Sequence, residues 1–302
     1  MIMQPARRTY RIVHRTHYRY STTMTDAYSV ACLTPRSTPY QVVHDASVVL
    51  DPPASDWDSY VDAFGNSVDQ FGLHEPHREM VVQSISVVEV ARREMPVDDT
   101  PWEQVATLGA AAAGDLALDL GMFRSSSALV DLDALAGSFI EITGPVFRPG
   151  RPIVEAVRAL CDAIHQGFEF DPEFSTVSTP LDDVIEQRRG VCQDFAHLAV
   201  GCLRSVGLPA RYVSGYIETV PPPGRERLVG ADASHAWCSA WTPGAGWVDF
   251  DPTNGHTPVN DHVTVAWGRD YADVTPLRGV MIGPATAQKL DVSVDVARVQ
   301  PV

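Results

Sequence analysis

Cys192, His235 and Asp251 are the residues of this chain whose types could do chemistry together. A cysteine attacks as its thiolate, it needs a base within hydrogen-bond reach, and the base needs a third group to orient its ring. Cys192 follows Arg189-Gly190-Val191, and Phe195, Leu198, Ala199, Cys202, Leu203 and Val206 then recur with the spacing of one helix face. The spacing puts Cys192 in the first turn of a helix. There, N–H groups without intrahelical partners and the positive end of the helix dipole both favour a thiolate, below the free thiol pKa of about 8.5. Taken alone, such a cysteine reads more simply as a buried structural thiol, since free cysteine is among the most buried residue types.

The base and its orienter come from a hairpin. Ser234 to Trp241 and Gly246 to Asp251 read as strands around Thr242-Pro243-Gly244-Ala245, a turn by its chemistry. His235 faces the same way as Trp237, Ser239 and Trp241, while Asp249 and Asp251 share a face with Trp247. If Trp241 pairs with Trp247 across a five-residue turn, Asp251 lies opposite Trp237. It is then the diagonal neighbour of His235, at about 7–8 Å between Cα atoms. Asp249 falls opposite Ser239, one pair farther away. A four-residue loop would reverse the parity and separate the two side chains. Asp251 is therefore the expected orienter.

The elements that must hold these groups follow from the rest of the chain. Its 302 residues suffice for two domains with cores, and 45% apolar and 20% charged residues are ordinary for a globular protein. Tyr10, Ile12, His14, Thr16, Tyr18 and Tyr20 alternate on one strand face. Val42–Leu50, Asn66–Phe71 and Met80–Val90 also read as β, separated by Pro- and Gly-marked turns. This predicts a small β-sandwich over residues 1–95. Pro96-Val97-Asp98-Asp99-Thr100-Pro101 reads as a linker. Beyond it, 96–302 is expected to hold helices at Trp102–Leu120 and Arg151–Phe168, a short one opened by Thr179-Pro180-Leu181-Asp182 as cap and first turn and running to about Gln187, then the Cys192 helix ending before Gly207. Strands follow at Arg211–Glu218, the hairpin, Val263–Trp267 and Leu290–Val299, with an exposed loop at Pro221-Pro222-Pro223-Gly224. Helices followed by an antiparallel sheet make an α+β plan.

Four segments in this order resemble a known family: Arg189 to His197, Arg211 to Tyr216, Ser234-His235-Ala236-Trp237, and Gly246 to Asn254. They look like the core of the bacterial transglutaminase-like proteins, a superfamily that includes papain-like thiol enzymes. Tyr18-Arg19-Tyr20 and Asp62-Ala63-Phe64-Gly65-Asn66 are similar to the β-rich region that precedes this core in bacteria, and Val265 to Val274 resembles the segment that follows it. The resemblance implies an N-terminal β-sandwich followed by a papain/transglutaminase-like core of helices on an antiparallel sheet. It implies Cys192 as nucleophile, His235 as base and Asp251 as orienter, in agreement with the hairpin register. The expected substrate is a peptide or protein amide, attacked to give a thioester that water or an amine resolves. The alternative is a catalytically silent module that keeps a peptide-binding groove.

Other residues have plainer explanations or smaller roles. Gln193 could assist the Cys192 N–H in stabilising an oxyanion, although a solvated first-turn position also explains it. Trp237 flanks His235 and could line a substrate groove, as could Tyr216, but aromatic strand faces are usually core. His197 lies off the Cys192 face and reads as a packing or surface histidine, and Asp194 suits a first helical turn electrostatically. His74 and His77 are three apart in an expected loop with Glu75 and Glu79 close by, a pair that is more often surface than metal ligand, and no metal or other cofactor is expected. The five cysteines are odd in number and widely spaced, so they read as free thiols. A formal charge of -15 argues against nucleic acid. The series Arg7, Arg8, Arg11, Arg15 and Arg19 reads as a solvated strand edge. No apolar run reaches about 18 residues and the N-terminus lacks an apolar signal segment, so no membrane association and a cytoplasmic location are expected.

Overall fold

A computed structural model of the chain describes residues 7–91, 96–219, 234–284 and 287–300. The Pro221–Gly224 loop lies outside the described residues. The first region holds β1 (Arg8–Met24), β2 (Asp26–Ala31), β3 (Gln41–Asp51), β4 (Asp56–Val61), β5 (Ser67–Leu73) and β6 (His77–Val90). The alternating residues Tyr10 to Tyr20 are all buried. Tyr18, Tyr20, Met80 and Val82 share a core with Ala27, Ala31, Phe71 and Leu73 of the facing sheet. This is the sandwich that the period-two pattern predicts.

Two sequence expectations change here. The C-terminal strands β13 (Leu277–Ile282) and β14 (Gln288–Val299) do not join the second region. They extend the sandwich, in the orders β14-β1-β6-β3 and β13-β2-β5-β4. Val294 and Val296 sit opposite His14 and Ile12 and are buried, which completes the apolar stripe of β1. That places β1 inside its sheet, so its arginines stand on a solvated face and not at an edge. Arg7 and Arg19 pair there with Glu89 and Asp291. Strands β2 and β4 gave no sequence signal because the inward residues of β2 are Ala27, Ser29 and Ala31, and all six residues of β4 are exposed.

The second region holds α1 (Trp102–Ala110), α2 (Gly114–Met122), α3 (Ala136–Thr143), α4 (Ile153–Gly167), β7 (Glu169–Phe170), α5 (Leu181–Gln187), β8 (Arg189–Gly190) and α6 (Cys192–Ser205). Then come β9 (Ala210–Ile217), β10 (Ser234–Thr242), β11 (Gly246–Phe250) and β12 (His262–Gly268), antiparallel in the order β11-β10-β9-β12. The single helix expected over Trp102–Leu120 is two, bent by 116° where Gly114 takes a φ of +62°. No single helix among the described residues is long and apolar enough to cross a membrane.

Helix α6 is the centre of this core. Phe195, Leu198, Ala199, Cys202 and Leu203 are fully enclosed, and the small residues Ala236, Cys238 and Ala240 of β10 share their core. Gly207 takes a φ of +85° and ends the helix, with the Leu208 N–H returning to the Leu203 carbonyl at 3.0 Å. The buried Arg204 guanidinium clamps this end by donating to the carbonyls of Phe123, Ser125, Ala210 and Arg269. On the opposite side a Cβ at Gly201 would overlap the Phe139 ring of α3. Gly201→Ala should therefore lower stability by about 1–3 kcal/mol through overpacking, measured as a lower urea midpoint at unchanged m-value. An unchanged midpoint would contradict this packing.

Candidate active site

Backbone turns fix the position of Cys192. Arg188 takes a φ of 51° at the end of α5, so the chain turns sharply into β8. β8 pairs in parallel with β7, the Asp171 N–H reaching the Gly190 carbonyl at 2.9 Å. Cys192 then begins α6. Asp194, three residues along from Val191, folds back to accept the Val191 N–H at 2.8 Å and the Ser175 hydroxyl. This bond runs one way, since Val191 has no polar side chain to return it, and it closes the first turn. A Cβ at Gly190 would lie 2.6 Å from an Asp194 carboxylate oxygen, so only glycine leaves room for this bond. Asp194 is buried, and burial raises its pKa above the ordinary carboxyl value. Its role is thus a specific cap within the core, more than the general electrostatic fit that sequence suggested.

The hairpin has the register expected from its turn, with Trp241 opposite Trp247 and Ser239 opposite Asp249, and Thr242 pairs with Gly246 to shorten the loop. Asp251 thereby reaches the His235 ring, and the His235 Nε2 lies 2.8 Å from Asp251 Oδ2. With Nε2 on Asp251, Nδ1 is the ring nitrogen left for Cys192, whose thiol is among the groups that raise the His235 pKa. His235 is 7% exposed and Asp251 is fully buried. Burial disfavours the imidazolium, but the bonds and charges of Asp251 and Cys192 outweigh it and push the His235 pKa up to about 10. Burial likewise opposes the Asp251 carboxylate, and its histidine donors overcome that penalty to hold the carboxyl well below its ordinary range.

Asp251 is held by more than His235. Its Oδ1 accepts the backbone N–H groups of Thr253 and Asn254 at 2.9 and 3.1 Å. Its Oδ2 accepts the Asn254 side-chain amide at 2.7 Å and lies 3.0 Å from His262 Nε2. The loop is braced from α4, where His165 Nδ1 donates to the Thr253 carbonyl at 2.8 Å. Sequence reading missed Asn254 and His262 as site residues. Asn254 stands three residues past Asp251, the spacing of a carboxylate that caps its own turn. His262 carried no local signal, because its place beside Asp251 depends on β12 crossing to pair with β9.

His235, Asp251 and His262 place three donor atoms within 4.8 Å of one another. Both imidazole Nε2 atoms are spent on one carboxylate oxygen, which makes the group a closed hydrogen-bonded network and not an open chelate. His74 and His77 do not converge: His74 bridges Asp26 and Asp56, and His77 donates to the Glu75 carbonyl.

The remaining candidates separate by burial. Trp237 is fully enclosed, with its ring 6.0 Å from that of His235, so it forms the floor under the histidine and not the wall of an open groove. Tyr216 is likewise buried, with its hydroxyl 2.9 Å from His14 Nδ1. His197 is a packing histidine, accepting the Tyr271 N–H at 3.1 Å. Gln193 does border open space, lining a cavity of about 320 Å³ with Leu129, Leu135, Val177 and Leu181. A second cavity of about 290 Å³ lies along the sheet at Arg211, Trp247 and Trp267 and includes none of Cys192, His235 and Asp251. All five cysteines are free, and Cys192 alone is partly exposed.

Residues 141–252 match the model of the transglutaminase-like superfamily, and residues 10–89 match that of the bacterial transglutaminase-like N-terminal region. "Uncharacterized protein Rv2569c" of Mycobacterium tuberculosis is 39% identical over 296 residues, covering 95% of this chain and 92% of that protein. The chain belongs to the transglutaminase-like superfamily. A protein-glutamine gamma-glutamyltransferase of Pseudomonas aeruginosa is 36% identical over 104 residues, 32% of this chain and 16% of that protein. In fold, the chain is similar to a crystallised candidate cysteine protease from Cytophaga hutchinsonii, with a TM-score of 0.73 at 21% identity and coverage of 98% and 92%.

The raised His235 pKa has a consequence for stability. Above pH of about 6.5 the unfolded histidine loses its proton, while the folded one keeps it to about pH 10. The stabilising share of His235 is therefore complete below the first value and disappears as pH rises to the second. The stability difference between wild type and His235→Gln should shrink steadily between these limits, measured by urea unfolding at several pH values. A difference that grows with pH would contradict the imidazolium assignment.

Proposed function

We propose that the protein is a cysteine-dependent acyl-transfer enzyme acting on a peptide or protein amide. The observation that carries this reading is the continuous series in which Asp251 holds His235 by Nε2 and His235 meets Cys192 at a helix N-terminus. The sulfur of Cys192 attacks the amide carbonyl carbon, and the resulting oxyanion takes the first-turn N–H of Cys192. As the C–N bond breaks, His235 gives its Nδ1 proton to the departing amine, leaving a thioester and a neutral imidazole. The imidazole then takes a proton from water or from a second amine as that nucleophile attacks the thioester, which returns the thiolate–imidazolium pair. Asp251 stays ionised throughout and keeps the Nε2–H in place. Acyl transfer to an amine is supported by the 104-residue match to the Pseudomonas aeruginosa gamma-glutamyltransferase. The cavity beside Gln193 is the space nearest the nucleophile in sequence and would receive substrate side chains.

The test is turnover of a panel of peptide and glutamine amides, with and without an added primary amine, read by product mass. Loss of activity in Cys192→Ala and a fall of about 10²–10⁴-fold in His235→Ala are expected, with the amine-containing arm separating transfer from hydrolysis. Wild-type turnover in Cys192→Ala would sink the reading. Peptide binding without turnover in the wild type would favour a silent binding module.

A further inference from the structure

His262 is fully buried at the start of β12, and both of its ring nitrogens face carboxylates. Nε2 lies 3.0 Å from Asp251 Oδ2 and Nδ1 lies 2.7 Å from Asp261 Oδ1. An ionised carboxylate can only accept hydrogen bonds. Asp251 is ionised with four further donors on its two oxygens, and Asp261 is held down at about 2, burial being outweighed by its bond to His262. Each contact therefore needs a proton from the imidazole, and His262 carries both.

Resting on the function proposed above, we infer that His262 is a positioning residue for the reaction: a second imidazolium on Asp251 that shares the carboxylate with His235 and loosens its hold on the proton His235 must release. The rings of His235 and His262 have centroids 5.6 Å apart, and Trp237 meets the His262 ring edge-on at 5.1 Å. The ionisable groups around this pair are Cys192 from α6, Cys161 from α4, Asp251 and His256 after β11, Asp261 before β12, and Glu218 after β9, whose backbone N–H binds the Asp261 carbonyl at 3.0 Å. His262 is the cation among them that touches the same carboxylate oxygen as His235. Asp251 without this second cation would be a stronger counterion, and His235 a poorer acid toward the departing amine.

Geometry also separates this role from simple bracing. If His262 only steadied Asp251, its loss would let the carboxylate drift and His235 would lose its proton more easily. If it shares the charge, its loss makes His235 hold the proton more tightly. The two roles predict opposite shifts.

The experiment measures the rate of Cys192 alkylation by iodoacetamide against pH, with the site identified by peptide mass, in wild type and in His262→Gln, which keeps an amide N–H but no charge. The profile should contain an alkaline step as the His235 imidazolium titrates, and His262→Gln should move that step upward by about half a pH unit or more. A step that is unchanged or moves downward would overturn the inference. Nitrogen-15 spectra of the histidines in the wild-type protein near pH 8 provide a second readout that requires no variant to fold. Two protonated ring nitrogens on His262 are expected, and a single one would overturn the inference. A wild-type profile in which Cys192 reacts no faster at pH 6 than the four buried cysteines would instead overturn the proposed function, and this role with it, whatever the nitrogen spectrum shows.

Discussion

A carboxylate buried without compensation costs several kcal/mol at least, and the Asp251 environment is built around removing that cost. Its two oxygens accept from two backbone N–H groups, an asparagine amide and two histidines. Each donor arrives from a different constraint. The hairpin register brings His235, the turn after β11 brings Thr253 and Asn254, and the pairing of β12 with β9 brings His262. The position of the His235 ring, and so its approach to Cys192, depends on all of these being in place together.

The sandwich contributes to the same end from a distance. Gln41 donates its side-chain amide to the Thr264 carbonyl and accepts the Thr264 N–H, at 2.7 and 2.8 Å. Asn66 makes the equivalent double bond to Trp267, at 2.9 and 3.0 Å, and Asp62 orders the turn that presents it. The Tyr10 hydroxyl donates to the Asn260 carbonyl, two residues before His262. Strand β12 is thus pinned along its length by side chains of the first region. With β13 and β14 returning to the sandwich sheets, the strands that carry His235 and His262 lie in sequence between two sets of sandwich strands. The Asp62-Ala63-Phe64-Gly65-Asn66 segment therefore has a physical role in the site, because it holds the strand that carries His262.

Much of this was legible in sequence because it is local. The α6 face, the Gly207 stop and the hairpin parity each depend on residues within a few positions of one another, and together they bring Cys192, His235 and Asp251 forward. The Asp194 cap was half legible: its charge suited the helix start, but its bond to Ser175 comes from a distant loop. What was not legible is long-range. His262 has an ordinary strand setting until β12 is paired, and the sandwich membership of β14 requires knowing that β1 lacks a neighbour on that side. Trp237 shows the limit of face assignment, since alternation correctly puts it beside His235 but does not reveal that the floor there is closed.

The central claim is that this geometry makes Cys192 a nucleophile toward an amide carbonyl. Intact-mass analysis of acid-quenched protein, taken in the first turnovers with an amide substrate, tests it most directly. A transient added acyl mass is predicted that maps to Cys192, is removed by hydroxylamine as a thioester should be, and never forms in Cys192→Ser. Product formation with no covalent species on Cys192 under conditions where the substrate saturates the protein, or an adduct that maps to another residue, would contradict it.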